Sequence, residues 1–346
     1  MLIGCHSDDP QLHRGEEEPL YSDKHHNPVF VIKGITISQP LLPHPQTLVI
    51  LTTPSFIGVR KNPSNLTNPI TGVPDQGENK IPTAFAMTTP AIGTLGGMRV
   101  GCAGSSIPTQ FAGAFPPDGS HLERYSRVLN CMEINSSFHR PHRPATWQRW
   151  AQSTPAGFRF SVKAPRTLTH EAGLACASRE LHQFLAAARG LGEKLGPLLF
   201  QLPPKLGFDP SHAKQFFTML RDLHPGEVAC EARHPGWFTP EAGQLLKDFA
   251  VASVAADPAR VPQAAHPGGW PGLVYYRLHG SPRTYYSSYS SSFLEQLASR
   301  IGREGPAGNS AWCIFDNTAS GAAAGNALAF MEIAERNEKA RIRPAV

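Results

Sequence analysis

The sequence predicts an α/β protein whose main domain is a (β/α)8 TIM-type barrel, preceded by a disordered or poorly packed N-terminal extension. Short apolar runs of strand length alternate with segments of helical period from Met98 onward, and eight such units fit between residues 98 and 336. The composition also changes near Met98, because residues 1–97 hold 12 of the 33 prolines and show no helical period. An open doubly wound sheet is the alternative architecture. It is disfavoured because no Gly-x-Gly-x-x-Gly pattern follows the first strand.

The composition excludes several classes of protein. Of 346 residues, 40% are hydrophobic and 17% are charged, which supplies a sizeable core and excludes wholesale disorder. No apolar run reaches the 18 residues of a membrane-spanning helix, and Met1–Asp9 does not resemble a secretory signal. The six cysteines form no Cys-x-x-Cys pair, which argues against a disulfide framework or a zinc clip. We therefore expect a cytoplasmic protein with no membrane partner.

The extension differs from the barrel in charge as well as in proline content. Residues 1–97 carry a net charge of −2 and residues 98–346 a net charge of +7. We expect the extension to be disordered or not natively translated, with Met98 as a true start, and we expect its deletion to leave the fold intact. Residues 337–346 are predicted to be a flexible tail. The basic excess favours anionic ligands but is too small for a dedicated nucleic-acid tail.

The elements follow one another in the order that a barrel requires. The predicted strands are Met98–Gly104, Met132–Phe138, Arg159–Ala164, Leu198–Leu202, Val228–Arg233, Val251–Asp257, Val274–His279 and Ala311–Asp316. The predicted helices are His121–Asn130, Ala145–Gln152, Arg179–Arg189, Pro210–Leu223, Pro240–Phe249, Ser291–Gly302 and Ala322–Arg336. One crossover is rich in Pro and Gly, at Pro258–Gly272, and we expect a loop there instead of a helix.

Polar side chains recur at the predicted carboxyl ends of the strands, where barrels place their active face. Because strand residues alternate between the two sides of a sheet, residues two apart share the inward direction. The inward sets are Glu133, Asn135 and Ser137; Ser161 and Lys163; Glu231 and Arg233; and Arg277 and His279, with Gln201, Asp257, Asp316 and Asn317 at further strand ends. An alternative interpretation is a structural ion-pair network, in which Glu133 faces Lys163 and Glu231 faces Arg277.

Five ordered motifs in these same segments resemble the YecE-like family, the domain of unknown function 72. They are Met132–Phe138, Phe160–Arg166 with Thr169-His170, Gln201–Pro204, Glu231–His234 with Trp237, and Tyr276–Gly280. The resemblance covers about Met98 to Arg336 and implies a TIM-type barrel without a settled activity. The sequence departs from the family pattern at His139, where tyrosine is expected, and at Asp316-Asn317, where two asparagines are usual.

The cations at the predicted mouth favour recognition of a small anionic ligand. Lys163, Arg166, Arg233 and Arg277 supply charge, and arginine suits bidentate contacts to phosphate or carboxylate. Further predicted substrate-binding residues are Asn135, His170, Gln201 and Asn317. Tyr285, Tyr286 and Tyr289 in a Ser-rich loop could stack on a ring or pack as a lid. The predicted catalytic residues, which would transfer protons, are Glu133, Glu231 and His279.

Three classes of function remain open at this stage. The leading hypothesis is an enzyme, a hydrolase or lyase, acting on a phosphorylated or other anionic substrate at the C-terminal barrel mouth. The alternatives are a metal-dependent nuclease-like barrel acting on nucleic acid and a non-catalytic ligand-binding protein. No cofactor is assigned. A divalent metal at Glu133, Glu231, Asp257, His279 and Asp316 is an open alternative, disfavoured because Lys163, Arg233 and Arg277 would crowd positive charge around it. The sequence leaves the oligomeric state open.

Overall fold

The computed structural model describes residues 97–175, 178–304 and 310–342, and two short strands nearer the N-terminus. These two strands, Phe30–Ile32 and Ile35–Ile37, pair antiparallel with Phe30 opposite Ile37. The predictions for the remainder of residues 1–96 and for residues 343–346 lie outside the described residues. Among the described residues, no helix is both long enough and apolar enough to cross a membrane.

Eight parallel strands form the barrel in chain order, as predicted. They are β1 (Met98–Ala103), β2 (Cys131–Ile134), β3 (Arg159–Lys163), β4 (Leu195–Gln201), β5 (Val228–Glu231), β6 (Val251–Ser253 and Ala255–Asp257), β7 (Leu273–Leu278) and β8 (Ser310–Phe315). β8 pairs with β1, and β6 is interrupted at Val254. The first segment of β6 pairs with β5 and the second pairs with β7, so β6 joins the two ends of the sheet. The TIM-type fold is confirmed.

The helices occupy the predicted crossovers. They are α1 (His121–Ser126), α2 (Pro144–Gln152), α3 (Ser178–Ala188), α4 (Pro210–Leu223), α5 (Pro240–Asp248), α6 (Ser291–Glu304) and α7 (Ala322–Ile342). After β6 the described chain forms only a short turn, Pro262–Ala265, and a two-residue strand, Gly268–Gly269, which pairs antiparallel with β6. The predicted loop is therefore found at this crossover. α7 continues six residues beyond Arg336.

Local sequence signals explain where α4 and α5 begin. Pro210 and Pro240 occupy the first helical turn, where the missing N–H would have no helical partner. The residue before each proline caps the helix, because the Asp209 carboxylate accepts from His212 N and the Thr239 hydroxyl accepts from Ala242 N.

The barrel interior is apolar below its carboxyl end. Buried side chains of alternate strand residues fill it, namely Cys131, Leu199, Ala229, Ala252, Val254, Leu273, Tyr275, Trp312 and Ile314. The rings of Tyr275 and Trp312 stack with their centroids 6.1 Å apart. Trp312 also lies against Gly196, where an added Cβ would meet the indole at 2.6 Å. This apolar layer fills the lower part of the barrel. The inward polar residues lie above it, at the carboxyl ends of the strands.

Candidate functional site

Arg277 on β7 is the centre of a buried ion-pair network, and its side chain is 0% exposed. Its Nε and Nη2 donate to the two oxygens of Glu133 at 3.0 and 2.7 Å. Nη1 donates to Glu231 Oε2 at 2.6 Å, and Nη2 also donates to Asp316 Oδ2 at 3.0 Å. Burial opposes the charge, but Glu133, Glu231 and Asp316 raise the pKa of Arg277. One guanidinium thus holds together carboxylates from three strands or strand ends.

His279, which is two residues after Arg277 and nearer the mouth, bridges two of these carboxylates. Its Nδ1 lies 3.0 Å from Asp316 Oδ2, and its Nε2 lies 3.1 Å from Glu231 Oε1. Burial opposes protonation, but Glu231 and the hydrogen bonds to both carboxylates raise the pKa of His279. Since each ring nitrogen faces a carboxylate oxygen, the protonated imidazolium donates to both.

Glu231 is the hub that connects the network to the other strand ends. Besides Arg277 and His279, its oxygens accept from Gln201 Nε2 at 3.0 Å each and from Arg233 Nε at 3.1 Å. Burial opposes ionisation, yet Arg277 and His279 hold the pKa of Glu231 well below its usual range. The carboxylate is therefore ionised and saturated with donors.

Lys163 lies at the end of β3 beside this network but outside its ion pairs. The residue is 7% exposed, and its ammonium lies 4.2 Å from the centroid of the Phe138 ring. Within residues 97–175, 178–304 and 310–342, the Lys163 Nζ forms no ion pair, because Glu133 and Glu231 pair with Arg277 instead. Burial, followed by repulsion from Arg277, lowers the pKa of Lys163 to about 8.

The pairing differs from the structural alternative considered from the sequence. Glu231 does face Arg277, but Glu133 also faces Arg277 instead of Lys163. Tyr275 completes the environment of Glu133, with its hydroxyl 2.9 Å from Oε2. Glu133 and Arg277 therefore lie in the fully buried layer, without side-chain surface for a substrate. We assign Glu133 and Arg277 to the ion-pair network, and we assign substrate contact to residues nearer the mouth of the barrel.

His170 marks the basic part of the mouth. It lies in the turn after β3, with its Nδ1 2.9 Å from the Thr169 hydroxyl and its ring 5.0 Å from Phe138 between centroids. Burial and then four cations lower the pKa of His170 to about 4, and these cations are Lys163, Arg166, Arg233 and Lys205. Arg166 is exposed and pairs with Glu171 at 3.5 Å.

The two predicted asparagines have different surroundings. Asn135 follows β2 directly, and its Oδ1 is buried without a partner among the described residues. Asn317 follows β8, is fully buried, and donates Nδ2 to Ser287 O at 2.9 Å and to Asn326 Oδ1 at 2.8 Å. Asn317 therefore anchors the loop after β7.

That loop places one tyrosine against the scaffold and another over His279. The buried Tyr289 hydroxyl lies 2.9 Å from Asp257 Oδ1 and accepts from Gly280 N. Tyr285 is 40% exposed, and its ring meets the His279 ring edge-on with centroids 5.8 Å apart. Tyr285 has a φ of 69°, a left-handed conformation that is strained for an aromatic residue. Backbone hydrogen bonds from Tyr285 N to His279 O and from Ala319 N to Tyr285 O hold it there.

Two residues of this site were not identified as site residues from the sequence. Tyr275 shares the inward parity of Arg277 and His279, so strand alternation contained the signal for it. Phe138 carries no such signal, because its contact with Lys163 joins a turn after β2 to the end of β3. Among the described residues, no group of three or more His, Cys, Asp or Glu side chains is arranged to hold a metal ion.

Comparison with known proteins gives consistent matches. The model of a family described as protein of unknown function DUF72 matches residues 99–345. The curated protein UPF0759 protein YecE of Escherichia coli K12 is 34% identical over 119 residues, and UPF0759 protein YunF of Bacillus subtilis is 28% identical over 127. Each alignment covers 34% of this chain, and 43% and 44% of the relatives respectively. The aligned part thus spans less than half the length of these curated relatives.

Solved structures of similar fold agree with the barrel assignment. A DUF72 family protein from Enterococcus faecalis V583 superposes with a TM-score of 0.59 at 20% identity, over 69% of this chain and 95% of that one. Another from Thermotoga maritima MSB8 superposes with a TM-score of 0.57 at 23% identity, over 69% and 99%. At this identity the likeness shows the fold alone.

Proposed function

This chain belongs to the family of proteins of unknown function DUF72, and from that premise we propose that it is an enzyme acting on an anionic substrate at the mouth of its barrel. The substrate carries a phosphate or carboxylate group. Arg233 and Lys163 attract that group, and the Glu231–His279–Asp316 cluster handles protons.

The buried Lys163 is the observation that carries this proposal. It is 7% exposed, the carboxylates of the adjoining network pair with other cations, and Lys163, Arg166, Arg233 and Lys205 together lower the pKa of the nearby His170, after burial. In the adjoining network, the three carboxylates of Glu133, Glu231 and Asp316 neutralise Arg277, His279 and Arg233. Lys163 is then a buried positive charge in excess. A bound anion would supply the missing counter-charge and contact a partly exposed Arg233.

The same mouth holds groups suited to proton transfer. His279 bears a proton between two ionised carboxylates, and it lies beneath the exposed Tyr285. To donate to a leaving or developing oxygen, this imidazolium exchanges one of its two carboxylate partners for that oxygen, while the other carboxylate keeps the ring in place. These are the elements of a lyase or hydrolase step.

Binding of inorganic phosphate tests the anion site. We expect phosphate to raise the melting temperature of the full chain relative to chloride at equal ionic strength, because a ligand that binds only the folded state stabilises it by mass action. Arg233→Met keeps the apolar stem and removes the guanidinium, and should lose at least half of this shift. Differential scanning fluorimetry over a phosphate titration measures both.

A matched control separates a specific site from general charge. Arg149 lies exposed in the last turn of α2, and Arg149→Met should keep the full phosphate shift. Malonate replaces phosphate in a parallel titration that tests a dicarboxylate. If neither anion shifts the wild-type transition, or if both variants respond equally, the anionic-substrate proposal is wrong.

A further inference from the structure

We propose that Lys163 is the nucleophile of this site and that its amine forms an imine with the carbonyl group of an anionic aldehyde or 2-oxo acid. This inference rests on the proposed function and names the class of substrate. It concerns the covalent step, whereas the anion site concerns binding.

The surroundings of the Lys163 amine differ from those of the other buried cations of the mouth. Arg277 and His279, the other buried cations of the mouth, each face carboxylate oxygens at 2.6–3.1 Å. Lys163 contacts the Phe138 ring instead, and the Glu133 carboxylate, the partner considered from the sequence, is occupied by Arg277 and Tyr275. Its backbone is fixed, because the Ser137 hydroxyl donates to Lys163 O at 2.7 Å. The amine therefore lies over the Phe138 ring and is not neutralised by an ion pair.

The charge state of this amine also allows it to act as a nucleophile. The charged groups that shift the pKa of Lys163 are Arg277 on β7 and the carboxylates Glu133, Glu231 and Asp316. His170 is close enough that Lys163 lowers its pKa in turn. Burial and Arg277 prevail, so the pKa is about 8 and the neutral form is well populated near that pH. An ordinary exposed lysine is neutral in only about one molecule in 2,500 at pH 7. Only the neutral amine has the lone pair that attacks a carbonyl carbon.

The chemical step balances without any further reagent. The Nζ lone pair forms a bond to the carbonyl carbon while the C=O π pair moves to oxygen. Oxygen gains a proton and nitrogen loses one, which yields a carbinolamine. The hydroxyl then takes a second proton and leaves as water, and the nitrogen lone pair forms the C=N bond of the iminium. For the second proton, one His279 N–H turns from its carboxylate partner to the carbinolamine oxygen, and the step ends at the iminium and one molecule of water.

Reductive trapping tests this inference on the full chain. The protein is incubated with glyoxylate, the smallest 2-oxo acid, and sodium cyanoborohydride, which converts an imine into a stable carboxymethyl-lysine. Peptide mapping by mass spectrometry follows each lysine over time. We expect Lys163 to be labelled roughly tenfold or more faster than the exposed Lys214 on α4, with a rate that rises with pH up to about 8.

The controls make each outcome decisive. The exposed Lys214 on α4, in the same sample, is the internal reference, and Lys163→Arg should abolish fast labelling. Inorganic phosphate should slow labelling at Lys163 and leave Lys214 unchanged. Labelling confined to exposed lysines, beside a normal phosphate shift, would refute the imine and leave the anion site standing. Fast labelling of Lys163 that phosphate does not slow would support the reactive amine and contradict the anion site.

Discussion

Replacement of Arg277 by methionine is expected to lower the free energy of unfolding by about 3–5 kcal/mol at pH 7, the range for breaking a buried ion pair. Methionine fills much of the volume of the apolar stem but supplies none of the donors. Glu133, Glu231 and Asp316 would then repel one another in a layer where the Glu133 side chain is fully buried. Urea unfolding followed by circular dichroism gives the free energies.

The pH dependence of that variant provides a second measure. Despite burial, Arg277 and His279 hold the pKa of Glu231 and of Asp316 below their usual values, so these carboxylates contribute stability above pH 4 that is lost as pH falls through their folded pKa values. Without Arg277 their pKa values rise, and protonation on lowering the pH relieves the repulsion. The deficit relative to wild type should therefore be smaller at pH 5 than at pH 7.

A matched change isolates the role of the central guanidinium. Arg233→Met also removes an arginine that contacts Glu231, but Glu231 keeps Arg277, His279 and Gln201 as partners. Its loss should be about 1 kcal/mol or less, the range for a partly exposed ion pair. If Arg277→Met unfolds with the same free energy as Arg233→Met, the buried network does not organise the barrel mouth.

Replacement of Lys163 by methionine is expected to have the opposite sign and to raise the free energy of unfolding by about 1–3 kcal/mol at pH 7, since each unit of pKa shift corresponds to about 1.4 kcal/mol. The buried ammonium has no carboxylate partner among the described residues, and a thioether packs well against the Phe138 ring. A functional residue that destabilises the fold is a common trade-off in active sites.

The sign of the pH dependence follows from the lowered pKa of Lys163. Below its folded pKa of about 8, the ammonium is charged in both folded and unfolded states and the full penalty applies. As pH rises from 8 toward the ordinary lysine value, the unfolded state binds more protons than the folded state, and wild-type stability increases. The advantage of Lys163→Met should thus shrink between pH 8 and pH 10.

An exposed lysine provides the control for this second prediction. Lys205→Met should change the free energy of unfolding by only a few tenths of a kcal/mol, with no comparable trend above pH 8. A destabilised Lys163→Met at pH 7 would show that the ammonium is compensated in the folded protein. In that case the excess positive charge at the mouth, and the reactive amine argued from it, would lose their basis.

The sequence by itself determined the architecture and the direction in which the polar side chains point. Pro210 and Pro240 marked the starts of α4 and α5, and the Pro- and Gly-rich segment after β6 correctly indicated a missing helix. Inward parity brought Glu231, Arg277 and His279 to one end of the barrel as expected. These features depend on local periodicity and turn chemistry, which nearby residues encode.

Only the tertiary structure decided which charges pair. Arg277 and Glu133 lie on β7 and β2, and their 2.7 Å contact depends on closure of the barrel and on the stagger of its strands. That pairing leaves Lys163 against Phe138 without a carboxylate, which no pattern of residues within one strand indicates. Alternation within a strand is a short-range property of the backbone, whereas a partner across the barrel is selected by side-chain length, strand register and the exclusion of water.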